Sequence, residues 1–173
     1  MDDGACAHLM GARIPSVGLA STRGGNVDLS TMRERFVVYA YPRTGTPDRS
    51  PLVPDWNMIP GARGCTPQSC AFRDHYAELK AEGAAEVFGL STQDAIYQRE
   101  MAERLHLPFA VLSDSDLCFT RALRLPTFVV AGQELMKRLT FVVCGGVIEK
   151  VFYPVFPPDK NAEEVAVWLR SQK

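Results

Sequence analysis

The stretch Pro60 to Tyr76, PGARGCTPQSCAFRDHY, sets two cysteines, Cys65 and Cys70, five residues apart at what reads as the start of a helix. Thr66 and Pro67 begin that helix, because proline is favoured in a first turn, where its missing N–H is one of those with no intrahelical partner. Cys65 then stands at the helix N-terminus, where free N–H groups and the macrodipole favour negative charge, and hence the thiolate, the nucleophilic form of cysteine. Phe72, Tyr76 and Leu79 recur downstream at helical spacing.

Several chemistries use a close cysteine pair. A zinc site needs four N or S ligands, usually as two pairs, and here no second Cys or His cluster exists. A tyrosine-phosphatase loop needs arginine after five intervening residues, where this chain has Ala71. For a redox pair, the helix geometry matters: residues i and i+5 lie roughly 8 to 9 Å apart at Cα, beyond the ~7 Å reach of a disulfide. A bond between them requires the helix start to unwind, so the reading predicts a folded dithiol with Cys65 poised and a locally unfolded disulfide. Against this stands the plain alternative of Cys70 as a small core hydrophobe and Cys65 as an inert loop thiol. These residues alone leave the two open.

Around the pair the chain alternates. RFVVYAY (35–41), EVFGL (86–90), FAVL (109–112), RLTFVV (138–143) and VIEKVFY (147–153) are short β-branched and aromatic runs, several apolar throughout as central strands are. Between them, Ser91 with Asp94 caps a helix carrying Ile96, Met101 and Leu105, and Asn161 with Glu164 caps a last helix carrying Val165, Trp168 and Leu169. The Cys144–Gly146 CGG is a tight hairpin signal. The order predicts an α/β fold, a mixed central sheet covered by helices on both faces. Residues 1–12 read as a mobile tail, and 47–64, PDRSPLVPDWNMIPGARG, with four prolines and Trp56, as a long non-helical loop.

The 173 residues suit one domain spanning 1–173, and a formal net charge of -1 provides no field for nucleic acid or anionic lipid. No apolar run approaches the ~18 residues a membrane span needs, and MDDGACAHLMGAR is acidic where a secretory signal is basic. A cytoplasmic location is therefore expected. Five scattered cysteines (Cys6, Cys65, Cys70, Cys118, Cys144) do not make a secreted disulfide scaffold. Cys6 falls in the tail, Cys118 and Cys144 read as core or incidental thiols, and His8, His75 and His106 lack a constellation around them.

GCTPQSCAFRDHYAEL resembles the active-site helix of the peroxiredoxins, most closely the Q-type or bacterioferritin-comigratory class, in which a peroxidatic cysteine is followed five residues later by a resolving one and then by Phe-Arg-Asp. VVYAYPRTGTP, EVFGLSTQDAIYQREMAERLHLPFAVLSD and RLTFVVCGGVIEKVF follow that class in order, so the resemblance covers most of the chain. It implies a thioredoxin-like fold and thiol-dependent reduction of hydrogen peroxide and organic hydroperoxides, without metal or organic cofactor. By the same resemblance Cys65 is the peroxidatic nucleophile and Cys70 the resolving thiol, with Arg138 binding peroxide and thiolate. Pro42 and Thr46 fit the Pro-x-x-x-Thr motif, and Gln68 stands where the class often has Glu. The implied reductant is thioredoxin or glutaredoxin, and the implied state a monomer or weak homodimer. Eighteen residues separate Thr46 from Cys65 where the class usually has two. The competing functions are a thiol-disulfide oxidoreductase, for which C-x-x-C is expected, and a non-enzymatic redox sensor working through the 47–64 loop.

Overall fold

The computed structural model describes residues 1–45 and 49–173. Its elements in chain order are β1 (Gly18–Ser21), β2 (Asn26–Asp28), β3 (Phe36–Ala40), α1 (Cys65–Asp74), α2 (Tyr76–Ala81), β4 (Glu86–Ser91), α3 (Ala95–Arg104), β5 (Val111–Ser113), α4 (Cys118–Leu123), β6 (Thr127–Val130), β7 (Gln133–Met136), β8 (Leu139–Cys144), β9 (Val147–Phe152) and α5 (Asn161–Ser171). Seven strands form one sheet in the order β2-β1-β5-β4-β3-β8-β9. β3, β4 and β5 run parallel, while β8 and β9 add antiparallel on one side and β1 and β2 on the other.

β3 is buried at every position, as its continuous FVVYA requires of a central strand. Its alternating side chains feed two cores. Phe36, Val38 and Ala40 join the cluster with Leu9, Phe119, Leu123, Met136 and Phe141, and Val37 and Tyr39 join that with Cys65, Phe72, Leu79, Met101, Val165 and Leu169. The second core positions α1: the Tyr39 ring stacks on Phe72 at 4.5 Å and 5°, and its hydroxyl donates to Ser69 at 3.1 Å. Such a stacked pair adds about 0.5–1.5 kcal/mol beyond its buried area. Gly89 on β4 makes room, since a Cβ there would meet the Tyr39 hydroxyl at 2.9 Å.

The CGG hairpin joins β8 to β9 with Gly145 and Gly146 both at positive φ, the conformation of a tight turn matching strand twist. Several expectations are corrected. The first twelve residues are no mobile tail: Leu9 and Cys6 are buried in the first core, and Gly11 N–H donates to the Ile148 carbonyl at 2.9 Å. β6 and β7 form a second, separate antiparallel hairpin, from strands not expected from the sequence. Of the two readings of Cys118 and Cys144, core or incidental, their exposure leaves the second. On α3 the cap is Asp94, accepting from Tyr97 N–H at 2.7 Å, and Ile96 is exposed while Gln98 turns inward. Asn161 does not cap α5; its side chain is buried. Within 47–64, the described residues hold one 3₁₀ turn at Trp56–Met58 and no α-helix.

Candidate active site

α1 begins at Cys65, directly after Gly64 at φ 102°, a conformation that costs an L side chain. Space forbids a side chain there too, since a Cβ on Gly64 would lie 2.6 Å from Pro158 Cγ. The turn into α1 is thereby wedged against the 3₁₀ turn at Pro158–Lys160. Cys65 is 4% exposed, packed in the second core with Tyr39, Tyr41 and Phe72. Cys70, one and a half turns on, is half-buried, and both thiols are free. Two residues of one helix at this separation cannot bridge while α1 stays wound.

Arg138, immediately before β8, reaches across to α1 and is itself 4% exposed. Its Nη2 donates to Cys65 Sγ at 3.1 Å, to the Arg63 carbonyl at 2.9 Å and to the Gly61 carbonyl at 3.2 Å, and its Nη1 donates to Gln68 Oε1 at 2.5 Å. The other acceptors are neutral carbonyl and amide oxygens, the Cys65 thiol also faces the Ala62 carbonyl at 3.6 Å, and among the described residues no carboxylate pairs with this buried cation. A buried charge needs compensation, and a Cys65 thiolate is the anion in reach. Lys137, beside it, turns the other way and pairs with Asp3 at 3.4 Å. Neighbours in sequence thus face opposite sides, which is why only one of the two serves the sulfur.

Two of the holding carbonyls, Gly61 and Arg63, belong to the 47–64 loop, so the insertion carries part of the site. Gln68 is completely buried and its amide continues the network: Nε2 donates to Asn161 Oδ1 at 3.3 Å, and the Thr140 hydroxyl donates to the same oxygen at 2.5 Å. Pro42 is buried just beyond the end of β3. Thr46 lies outside the described residues. Upstream of it Thr44 is clasped by Gln93, whose Oε1 accepts from Thr44 N–H at 3.0 Å and whose Nε2 donates to the Thr44 carbonyl at 3.0 Å. Gly61, Arg63, Gly64 and Pro67 on one side and Val155, Phe156 and Pro158 on the other line a groove at the start of α1, with Phe156 86% exposed.

The structure therefore brings Cys65, Arg138 and Gln68 together and sets Cys70 on the same helix. Sequence reading missed the Gly61 and Arg63 carbonyls and Asn161. Backbone groups carry no signal in side-chain identity, but Asn161 did: with Val165 and Leu169 it falls at i, i+4, i+8 on the apolar stripe of α5. Among the described residues no group of three His, Cys, Asp or Glu is placed to hold a metal ion.

The arrangement suits attack by sulfur on a small polarisable bond: a nucleophile held at a helix start, a cation aimed at it, and a second thiol nearby in sequence. The comparisons agree with that chemistry. The redoxin family model matches residues 9–166. Peroxiredoxin Q, chloroplastic, of Oryza sativa subsp. japonica is 33% identical over 163 residues, covering 93% of this chain, which spans 66% of that relative's length. The Sedum lineare peroxiredoxin Q, chloroplastic, is 32% identical over 165 residues, 94% of this chain and 78% of the relative. Among solved structures, peroxidoxin BcpB from Mycobacterium tuberculosis superposes with a TM-score of 0.75 at 24% identity, over 95% of this chain and 97% of that one, which gives the fold as thioredoxin-like. The helix-start cysteine under its arginine, the mixed sheet behind it and these likenesses together place the chain in the redoxin family, among the Q-type peroxiredoxins.

Proposed function

We propose that the chain is a thiol-dependent peroxidase that reduces hydrogen peroxide and organic hydroperoxides at Cys65. The observation that carries the reading is the 3.1 Å hydrogen bond from buried, carboxylate-free Arg138 to the Cys65 sulfur at the N-terminus of α1. The relatives' names, peroxiredoxin Q, support it. The Cys65 thiolate attacks the distal peroxide oxygen, the O–O bond breaks, and the departing oxygen takes a proton to leave as water or an alcohol. Arg138 stabilises the charge that moves from sulfur to oxygen, a preorganised donor of the oxyanion-hole kind. Cys65 is left as a sulfenic acid.

Resolution by Cys70 requires the first turns of α1 to unwind. The Cys70 sulfur then attacks Cys65, water leaves, and an intramolecular disulfide forms. An external dithiol, thioredoxin or glutaredoxin, reduces it by exchange, ending as a disulfide itself. Unwinding has a defined local cost: α1 gives up the Arg138–Gln68 and Arg138–Cys65 contacts and the Tyr39–Phe72 and Tyr39–Ser69 packing within the same turns. Buried, mutually supporting contacts of this kind favour the wound dithiol until oxidation intervenes. We place this cycle in a reducing compartment such as the cytoplasm, where a close cysteine pair works as a reversible redox couple.

The test is peroxide-dependent oxidation of NADPH through thioredoxin and thioredoxin reductase. Turnover in wild type with none in Cys65→Ser supports the reading. Turnover that persists in Cys65→Ser, or thiol-disulfide exchange activity without peroxide turnover, overturns it.

A further inference from the structure

The buried chain Thr140, Asn161, Gln68, Arg138 has a feature that ordinary packing does not explain. Asn161 is completely buried at the start of α5, yet its Nδ2 has no hydrogen-bond partner among the described residues. A buried donor left unmade is unfavourable, and an apolar group in place of Asn161 would be free of that defect. What holds the amide in this orientation can be read outward from the guanidinium. Arg138 only donates, so Gln68 must face it with Oε1. Gln68 Nε2 is then forced to point away, and needs an acceptor in a fully buried site. Asn161 Oδ1 is that acceptor, and the Thr140 hydroxyl donates into the same oxygen, holding it toward Gln68. The orphan Nδ2 is the consequence.

We infer that Asn161 is a positioning residue for the peroxide reaction: with Thr140 it sets the Gln68 amide so that Gln68 Oε1 holds Arg138 over Cys65. Asn161, at the start of α5, is thus tied to the sheet through Thr140 on β8 and to α1 through Gln68. Arg138 is held in this way while α1 stays wound, because Gln68, the link between Asn161 and the guanidinium, belongs to α1. The inference rests on the peroxidase reading of Cys65 and Arg138.

The experiment measures the second-order rate constant for Cys65 oxidation by hydrogen peroxide and, on the same samples, for its reaction with a small neutral disulfide, in which no peroxide oxygen has to be aligned. Melting temperature is recorded for each variant. Asn161→Ala is expected to lower the peroxide constant about tenfold to a hundredfold, the range for misplacing a reacting group by about an ångström, with a several-fold smaller change toward the disulfide. Asn161→Asp, which presents acceptor oxygens to both donors, is expected to recover at least tenfold over Asn161→Ala. In a Gln68→Ala background Asn161→Ala is expected to add less than about threefold, because its route to Arg138 is already cut. Should Asn161→Ala not fold, Thr140→Val reads the same pathway: a several-fold peroxide loss alone and none beyond Gln68→Ala. A peroxide constant within about threefold of wild type in Asn161→Ala or, where that variant does not fold, in Thr140→Val, an equal loss toward peroxide and disulfide, or losses that multiply in the Gln68→Ala background would overturn the inference. Arg138→Met separates the levels: if it too stays near wild type, the peroxidase reading fails, whereas its collapse beside a healthy Asn161→Ala sinks only the role of Asn161.

Discussion

Replacing Arg138 by Met removes the one charge that, among the described residues, touches the Cys65 sulfur, while filling most of the same volume. The magnitude follows from the geometry. Two unit charges 3.1 Å apart interact on a scale of ~5 kcal/mol at an effective dielectric near 20, and deleting one preorganised donor in such a site costs about 2.7–4 kcal/mol of transition-state stabilisation. Arg138 Nη2 has two hydrogens for three acceptors, Cys65, Gly61 and Arg63, so its donors are shared in the resting site and only part of their strength is free for the oxygen on which charge builds. The expected loss therefore sits toward the lower end, roughly a hundredfold to several hundredfold in the peroxide rate constant. Stability is set by two opposed contributions. Leaving the Gly61 and Arg63 carbonyls and Gln68 Oε1 unpaired costs about 1–3 kcal/mol per group, offset by removal of a buried cation that has no carboxylate partner. Stopped-flow oxidation of Cys65, scored against the same thiol's reaction with a neutral disulfide and against melting temperature, measures both quantities. A peroxide constant within threefold of wild type in a folded variant would refute the reasoning, since it would mean the guanidinium sees sulfur but not the reaction.

Gly64→Ala combines a positive φ with a 2.6 Å approach to Pro158; at about 2–3 kcal/mol it should lower the melting temperature by roughly 4–10 °C and slow Cys65 oxidation, and an unchanged melt would show the turn is not wedged. Thiol alkylation of the native protein should label exposed Cys118 and Cys144 early and leave Cys6 to last, because burial, with Asp2 and Asp3 nearby, pushes the Cys6 thiol up to about 12; mass mapping in which Cys6 keeps pace with the exposed thiols would contradict its place in the core. Tyr39 and Tyr41 are held above the ordinary tyrosine value by burial, so the stability tied to their protons is fully present below about pH 10 and is lost as pH rises from there toward their folded values. Tyr41→Phe removes a buried hydroxyl that has no hydrogen-bond partner among the described residues, and should be neutral or slightly stabilising near neutral pH while flattening the alkaline decline by up to ~1.4 kcal/mol per pH unit; denaturant midpoints that fall equally steeply in both proteins would refute this.

Much of the fold was legible because its central strands are apolar on both faces and its helices carry a periodic stripe, both visible as patterns of residue type. FVVYA reads as a buried strand and becomes the middle of the sheet. Cys65 reads as a helix start from Thr66, Pro67 and the spacing of Phe72, Tyr76 and Leu79, and α1 begins there. What stayed hidden depends on distant partners. Cys6 and Leu9 read as part of a mobile tail until β9 supplies the carbonyl that holds Gly11. Ile96 fits an apolar stripe that tertiary packing gives instead to Gln98, which donates to Ser91 Oγ at 2.6 Å. Asn161 has the composition of a cap and the phase of a core residue, and the phase decided, because a Gln68 amide was waiting for an oxygen. In the candidate site the side chains could be named from spacing and resemblance, whereas the Gly61 and Arg63 carbonyls could not, since backbone acceptors belong to a loop path and not to a residue type.

The most direct measurement is the intact mass of wild type and of Cys70→Ser after one equivalent of hydrogen peroxide, with and without thiol alkylation. The account predicts rapid loss of two hydrogens in wild type, with Cys65 and Cys70 joined, and a sulfenic acid trapped on Cys65 in Cys70→Ser. If Cys65 instead stays reduced for minutes under peroxide while small disulfides oxidise it readily, the site works on disulfides and the peroxidase account is wrong.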